Sequence, residues 1–230
     1  MQETNSNDEL LARLIRRGAT MEQVARVKDP IANTPDEALL ALKKGNARFF
    51  SGAPERVFSD INERRTQIIA QTPFAVVVGC ADSRVPVEII FDQGPGDIFS
   101  IRVAGNVLSP GALGSVQYAI RHLKVRLLVV MGHEGCGAVE AAISMSPEQR
   151  EAEPLHVRFL LETIAPSSSA VPEILDTNER MREAVTRNVR HQKAAFEADD
   201  FVKSAVDSGH LRVVGAYYEI GSGAVDFLDE

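Results

Sequence analysis

The chain has 230 residues, of which 44% are hydrophobic, so it is long and apolar enough for one large domain, alone or with an appended arm. Its net charge of −7 argues against a nucleic-acid-binding surface, which needs clustered lysine and arginine side chains. No segment approaches the length of a membrane span, so we expect neither a nucleic acid nor a membrane as partner.

Residues 1–30 are polar, with a short amphipathic piece from Leu10 to Arg17. This pattern predicts an N-terminal helical arm, residues 1–33, outside a single domain of residues 34–230. The first residues have no apolar core of a secretory signal and mix acidic with basic side chains, so we expect a cytoplasmic protein. Two cysteines cannot build a disulfide framework, and a reducing compartment favours free thiols or a metal site.

The first clear helix is predicted to begin after Thr34. Thr34 can cap the helix, Pro35 suits its first position, and Glu37 completes a capping box. Apolar residues then follow helical spacing as far as Gly52. A second helix is predicted over residues 59–71.

Four short apolar runs rich in β-branched residues follow, and such runs are typical of strands buried on both faces of a parallel sheet. They cover residues 74–79, 98–103, 125–131 and 211–217. Helical patterns cover residues 111–123, 134–143 and 173–206, and residues 144–172 have the composition of a surface crossing with some helix. The alternation predicts an α/β domain with a central, mostly parallel β-sheet flanked by helices.

Both cysteines lie at the ends of predicted strands, where open α/β sheets form their sites. Cys80 and Asp82 stand in GCADSRVP after the first strand, and His133 and Cys136 stand in GHEGCG after the third. Two thiolates and an imidazole form a set of ligands that suits zinc. The sequence therefore predicts a zinc site at this edge of the sheet.

The fourth zinc position has two candidate occupants. Asp82 could fill it and close the site, or a water could fill it, in which case zinc lowers the pKa of that water from about 15.7 toward about 7. Arg84 could bind the Asp82 carboxylate in a bidentate pair and so compete with the metal. The site is catalytic if Arg84 holds Asp82, and blocked if zinc does.

Two plainer interpretations stand beside this one. Buried cysteines at strand ends are often only small hydrophobic side chains, and four ligands can close a purely structural zinc site. The Asp82-x-Arg84 pair counts against both, because neither requires it.

Three segments together resemble the β-class carbonic anhydrases: CADSRVP at residues 80–86, RVAGN at 102–106 and GHEGCGAV at 132–139. The order Cys-x-Asp-x-Arg followed by His-x-x-Cys is specific, and the likeness runs from about Thr34 to the last strand. It implies reversible hydration of CO2 to bicarbonate and a proton by attack of zinc-bound hydroxide on CO2, with Asp82 as a path for the proton. It also implies one zinc ion per chain and assembly into a homodimer or homotetramer.

The resemblance also implies a role for each site residue. The metal ligands would be Cys80, His133 and Cys136, with Asp82 as an exchangeable fourth. The catalytic pair would be Asp82 and Arg84. The residues that line the substrate pocket would be Gln71, Val85, Phe99 and Tyr118.

Two rival functions remain open at this point. The same scaffold can hydrolyse carbonyl sulfide or carbon disulfide, which are linear molecules close in shape to CO2. The other rival is a non-catalytic zinc module whose N-terminal arm binds a partner. A zinc site closed by Asp82 at every pH would indicate this function.

Overall fold

A five-stranded sheet forms the centre of the protein in the computed structural model, which describes residues 16–18, 31–55, 71–168, 171 and 176–228. The strands are β1 (Ala75–Gly79), β2 (Ile98–Arg102), β3 (Leu127–His133), β4 (Arg212–Tyr218) and β5 (Val225–Leu228). Their order is β2-β1-β3-β4-β5, and all neighbours are parallel except β4 and β5. The predicted α/β class and mostly parallel sheet are confirmed.

The ends of the four predicted strands lie within two residues of the observed ones. A short run of β-branched residues that is buried on both faces is typical of a strand in a parallel sheet. Along β1, Val76 and Val78 face one apolar cluster, whereas Ala75 and Val77 face another on the opposite side of the sheet. The structure adds β5, a short antiparallel edge strand that the sequence analysis did not predict.

The helix α1 (Pro35–Phe50) packs on one face of the sheet through Ala38, Leu39 and Leu42. Its predicted capping box is present, since Thr34 Oγ1 accepts from the Glu37 N–H at 3.2 Å and Glu37 accepts from the Thr34 N–H at 3.3 Å. Such a cap stabilises a helix by about 1 kcal/mol. The predicted arm and the predicted helix over residues 59–71 lie largely outside the described residues.

The other helices of the described residues follow in chain order. They are α2 (Val87–Ile90), α3 (Pro110–Tyr118), α4 (Gly137–Ser144), α5 (Pro147–Glu151), α6 (Leu155–Ser168), α7 (Thr177–Glu197) and α8 (Asp200–Asp207). A single 3-10 turn covers Ala104–Asn106, and a π-helical turn over Ala119–Leu123 continues α3.

Two predicted helices differ from the structure for local reasons. The helix predicted over residues 134–143 begins only at Gly137, because Gly135 adopts a φ of 62° in the preceding loop. The helix predicted over residues 173–206 is split into α7 and α8. Asp199 causes the break by capping α8, with its side chain accepting from the N–H groups of Phe201 and Val202.

Candidate metal centre

Three potential metal ligands meet at the carboxyl ends of β1 and β3. Cys80 directly follows β1, and His133 is the last residue of β3. Cys136 precedes α4 as its N-cap. The parallel pairing of β1 with β3 thus brings together two cysteines that stand 56 positions apart in the chain.

The spacing of the three side chains suits a zinc ion. The Sγ atoms of Cys80 and Cys136 lie 4.0 Å apart, and the ligand atoms of these residues and of His133 all lie within 4.8 Å of one another. All three side chains are buried. Tetrahedral zinc with Zn–S bonds of about 2.3 Å would place two sulfur atoms about 3.8 Å apart. The observed cluster is therefore close to the size that the metal requires.

The imidazole of His133 presents a free nitrogen to this cluster. Its Nδ1 lies 2.8 Å from the carbonyl oxygen of Glu134, and because a carbonyl only accepts, Nδ1 carries the proton. Nε2 is then an acceptor, and it is buried with no hydrogen-bond partner among the described residues. An orphaned buried lone pair beside two thiols is the arrangement that a metal ion would satisfy.

The two thiols share one proton. Their contact lowers the pKa of Cys80 well below that of a free thiol, and the N–H of Gly105 helps to stabilise the Cys80 thiolate. The same contact, together with burial, raises the pKa of Cys136. The pair therefore carries one negative charge at neutral pH, and a bound metal would displace the remaining proton.

Asp82 and Arg84 form a bidentate ion pair at the edge of the cluster. Arg84 Nε donates to Oδ1 of Asp82 at 3.0 Å, and Arg84 Nη2 donates to Oδ2 at 2.7 Å. The backbone N–H of Arg84 also donates to Oδ1, at 2.9 Å. These bonds hold the pKa of Asp82 well below its usual range, so the side chain stays ionised.

The position of Arg84 is fixed from a second side. Its Nη2 also donates to the carbonyl oxygen of Gly135 at 3.2 Å, in the loop between the ligands His133 and Cys136. Oδ2 of Asp82 lies 4.0 Å from Nε2 of His133. In this structure Asp82 thus stands beside the ligand cluster but is bound by Arg84.

The four predicted pocket residues are less closely grouped. Val85 is fully buried in the apolar cluster under α1, and Gln71 is exposed in the segment before β1. Phe99, on β2, lies with its ring centroid 6.3 Å from that of Tyr118, which is 47% exposed. Their part in substrate binding stays a prediction.

Two contacts at the site were missed by sequence reasoning. Arg102 donates from Nε to the carbonyl oxygen of Cys80 at 3.0 Å and from Nη2 to that of Asp82. Glu134 accepts from the N–H of Gly221 at 2.9 Å, which ties the loop after β4 to the ligand-bearing loop. The only signal was the RVAGN segment, which carried the resemblance without indicating a contact to backbone carbonyls.

Within the described part of the chain, no helix combines the length and the apolar character that a bilayer crossing requires.

The family model described as carbonic anhydrase matches residues 75–225, from the first residue of β1 into β5. The chain belongs to the β-class carbonic anhydrase family.

Relatives within this family cover most of the chain. The "Carbonic anhydrase 2" of Mycobacterium tuberculosis is 39% identical over 85% of this chain and 93% of its own length. A carbonic anhydrase of Mycolicibacterium smegmatis is 38% identical over 84% of this chain and 93% of its own. A tetrameric β-carbonic anhydrase of Sordaria macrospora has a similar structure, with a TM-score of 0.67 and 26% identity over 85% of this chain and 98% of its own.

Proposed function

We propose that this protein catalyses the reversible hydration of carbon dioxide to bicarbonate and a proton, with one zinc ion per chain held by Cys80, His133 and Cys136. The observation that carries the proposal is the bidentate pair of Asp82 and Arg84. Because Arg84 occupies the carboxylate that could close the site, three protein ligands remain, and a fourth tetrahedral position is left for a small molecule.

When bound, zinc lowers the pKa of a water ligand toward about 7 and so supplies a nucleophile at neutral pH. The chain supplies the rest. Nδ1 of His133 is held by the Glu134 carbonyl, which fixes the ring so that Nε2 faces the two sulfurs.

The pair of Asp82 and Arg84 supplies orientation and charge. Asp82 stays ionised, so it could accept a hydrogen bond from a hydroxyl group beside it but could not donate one. A carboxylate with such a low pKa orients a proton but holds it poorly at neutral pH. We therefore assign Asp82 as an acceptor that aims the nucleophile, and Arg84 as the group that keeps Asp82 in place.

The apolar wall that a nonpolar substrate needs would come from Val85 and Phe99. Gln71 would donate an amide hydrogen to an oxygen of CO2 or bicarbonate, and Tyr118 would extend the wall beside Phe99. The contact between the Phe99 and Tyr118 rings supports a shared surface for these two residues.

Three further features belong to the same proposal. Residues 34–230 form the catalytic domain, and residues 1–33 form an arm. The active form is a homodimer or homotetramer, in keeping with the tetrameric relative from Sordaria macrospora. The enzyme acts in the cytoplasm on a small-molecule substrate.

Stopped-flow CO2 hydration on protein of measured zinc content tests the proposal. We expect about one zinc per chain, hydration in proportion to the zinc content, and loss of both in Cys136→Ser. Ser208→Ala provides the control, since the Ser208 hydroxyl donates only to the local Ala205 carbonyl. Full zinc occupancy without hydration at any pH would overturn the proposal, and carbonyl sulfide would be the substrate to try next.

A further inference from the structure

One backbone group reaches the ligand Cys80 from outside the ligand loops. The N–H of Gly105 points at Sγ of Cys80 over 3.4 Å. Gly105 has a φ of 66°, and a Cβ atom at this position would come within 2.5 Å of Cδ1 of Ile164. A side chain here would be strained by the positive φ and crowded by Ile164, so glycine suits a backbone this close to the sulfur.

Asn188 of α7 holds this glycine by its other polar group. Its Nδ2 donates to the Gly105 carbonyl oxygen at 2.9 Å, and the Asn188 side chain is fully buried. Gly105 lies in a tight turn closed by the Asn106 N–H bond to the Val103 carbonyl, so holding its carbonyl removes backbone conformations that would turn its N–H away. The Asn188 bond therefore helps to aim the Gly105 N–H at Cys80.

Gln192 lies one turn further along α7 and holds Asn188 in turn. Its Nε2 donates to Oδ1 of Asn188 at 3.1 Å, and its Oε1 accepts from the N–H of Leu108 at 2.8 Å. Gln192 is only 1% exposed. The bond between Gln192 and Asn188 is buried and the bond from Leu108 is partly buried, and a hydrogen-bond partner lost away from solvent is expensive.

The orientation of both amides is fixed from the two ends of the row. The Gly105 carbonyl can only accept, so Asn188 must present its NH2 group there. The Leu108 N–H can only donate, so Gln192 must present its carbonyl oxygen. The remaining NH2 of Gln192 then meets the remaining oxygen of Asn188, and flipping either amide would set like groups against each other.

We propose that Asn188 and Gln192 are positioning residues for the metal ligand Cys80, acting through the Gly105 N–H to orient and stabilise its thiolate. The proposal rests on the zinc site proposed above. Neither side chain touches the ligand atoms. Hydrogen bonds to coordinating thiolates tune metal affinity and electronic properties, and their loss typically costs about 10- to 100-fold in affinity.

The test compares the parent with Asn188→Leu, which has a similar volume but no donor for Gly105. We expect the zinc dissociation constant, measured by competition with a chelator, to rise about 10- to 100-fold. In the cobalt-substituted protein we expect the thiolate-to-cobalt charge-transfer band to move to longer wavelength, because a thiolate that loses a hydrogen bond gives up its electron more easily.

Asn46→Leu is the matched control. Asn46 is also a buried amide, and it donates to the Ile90 and Gly223 carbonyls and accepts from the Val225 N–H. These bonds join α1 to α2 and to the loop and strand around β5, not to a metal ligand. We expect Asn46→Leu to lower the thermal stability but to leave the cobalt spectrum and the zinc affinity unchanged.

Each outcome decides a separate point. Parent-like zinc affinity and cobalt spectrum in Asn188→Leu would overturn the positioning role while leaving the proposed function intact. A parent that binds no zinc would refute the proposed function itself. If Asn188→Leu fails to fold, Gln192→Met carries the test, with a band shift in the same direction expected and an unchanged spectrum against the proposal.

Discussion

Oδ2 of Asp82 lies 4.0 Å from Nε2 of His133, although both of its oxygens are bound by Arg84. A shift of a few ångströms would take the carboxylate from the Arg84 guanidinium to a metal ion bound at Nε2 of His133. The strength of the ion pair between Arg84 and Asp82 therefore decides whether Asp82 binds the metal or accepts a hydrogen bond from the nucleophile. Because an exchange at this position would close the site, this ion pair is the natural point to probe.

Asp82→Asn is expected to retain zinc and to lose most of its CO2 hydration. The amide keeps the shape of the side chain but presents fewer acceptor lone pairs and no charge, so the nucleophile is no longer aimed. Loss of a positioned proton acceptor costs about 100-fold or more in turnover. Zinc analysis and stopped-flow hydration would measure both effects. Asp36→Asn, which alters an exposed carboxylate bound to Arg212, should match the parent, whereas parent-like turnover in Asp82→Asn would remove Asp82 from the mechanism.

Arg84→Gln is expected to lower the free energy of unfolding near neutral pH. The difference from the parent is expected to shrink in acid. The bond with Arg84 lowers the folded-state pKa of Asp82 below its ordinary value of 3.8. A depressed carboxyl pKa adds stability above the unfolded-state pKa, and that stability is lost as pH falls through the folded-state pKa. Urea unfolding of both proteins across pH would show a constant difference above about pH 5 and a shrinking one below 3.8.

The matched control for this prediction is Arg212→Gln, which breaks an exposed ion pair with Asp36. Exposed pairs contribute little, so this variant should follow the parent at every pH. A difference between the parent and Arg84→Gln that stayed constant or grew in acid would contradict the assigned source of the low Asp82 pKa.

Metal removal is expected to make the two cysteines chemically distinct. Without zinc, the contact between the two thiols lowers the pKa of Cys80 and raises that of Cys136, so we expect Cys80 to carry the thiolate at neutral pH. Iodoacetamide should therefore modify Cys80 first, slowly because it is buried, and at a rate nearly flat between about pH 6 and pH 8. Peptide mass spectrometry would identify the modified residue. Reloading with zinc should protect both, and modification of Cys136 first would contradict the charge assignment.

Gly132→Ala is expected to destabilise the protein and to weaken the site. A Cβ atom there would come within 2.6 Å of Cγ1 of Val185 and 2.7 Å of Cγ2 of Val189, both on α7. Such overpacking costs about 1–3 kcal/mol in the free energy of unfolding, and the shift would reach the next residue, His133. Urea unfolding and zinc affinity would both report it. Gly111→Ala, where a Cβ meets nothing within 4 Å, should leave both unchanged or slightly raise stability.

Much of the fold and the proximity of the ligands could be predicted because both depend on short local patterns in the sequence. Buried β-branched runs predict parallel strands, and parallel strands place their carboxyl ends at one edge of the sheet. Once Cys80 and His133 were assigned to the ends of the first and third strands, their proximity followed. The capping box at Thr34 is equally local, and it was predicted correctly.

The features that were missed depend on hydrogen bonds between a side chain and a backbone group. The N–H of Gly105 and the carbonyls bound by Arg102 have no side-chain signature, so no spacing rule reveals them. The break between α7 and α8 depends on one capping side chain, Asp199, inside a segment with continuous helical composition. Gln71 is exposed and Val85 is fully buried, and their predicted place in the substrate pocket stays a prediction.

The pairing of β1 with β3 has a consequence for folding fidelity. Both strands are buried on both faces, so sliding one past the other by a single residue would exchange apolar side chains for apolar side chains. The apolar pattern alone therefore resists such a slip only weakly, and close packing such as that of Gly132 against α7 has to oppose it. A slip would nevertheless separate Cys80 from His133. A bound metal ion would therefore stabilise the native register of β1 and β3 relative to registers shifted by one residue.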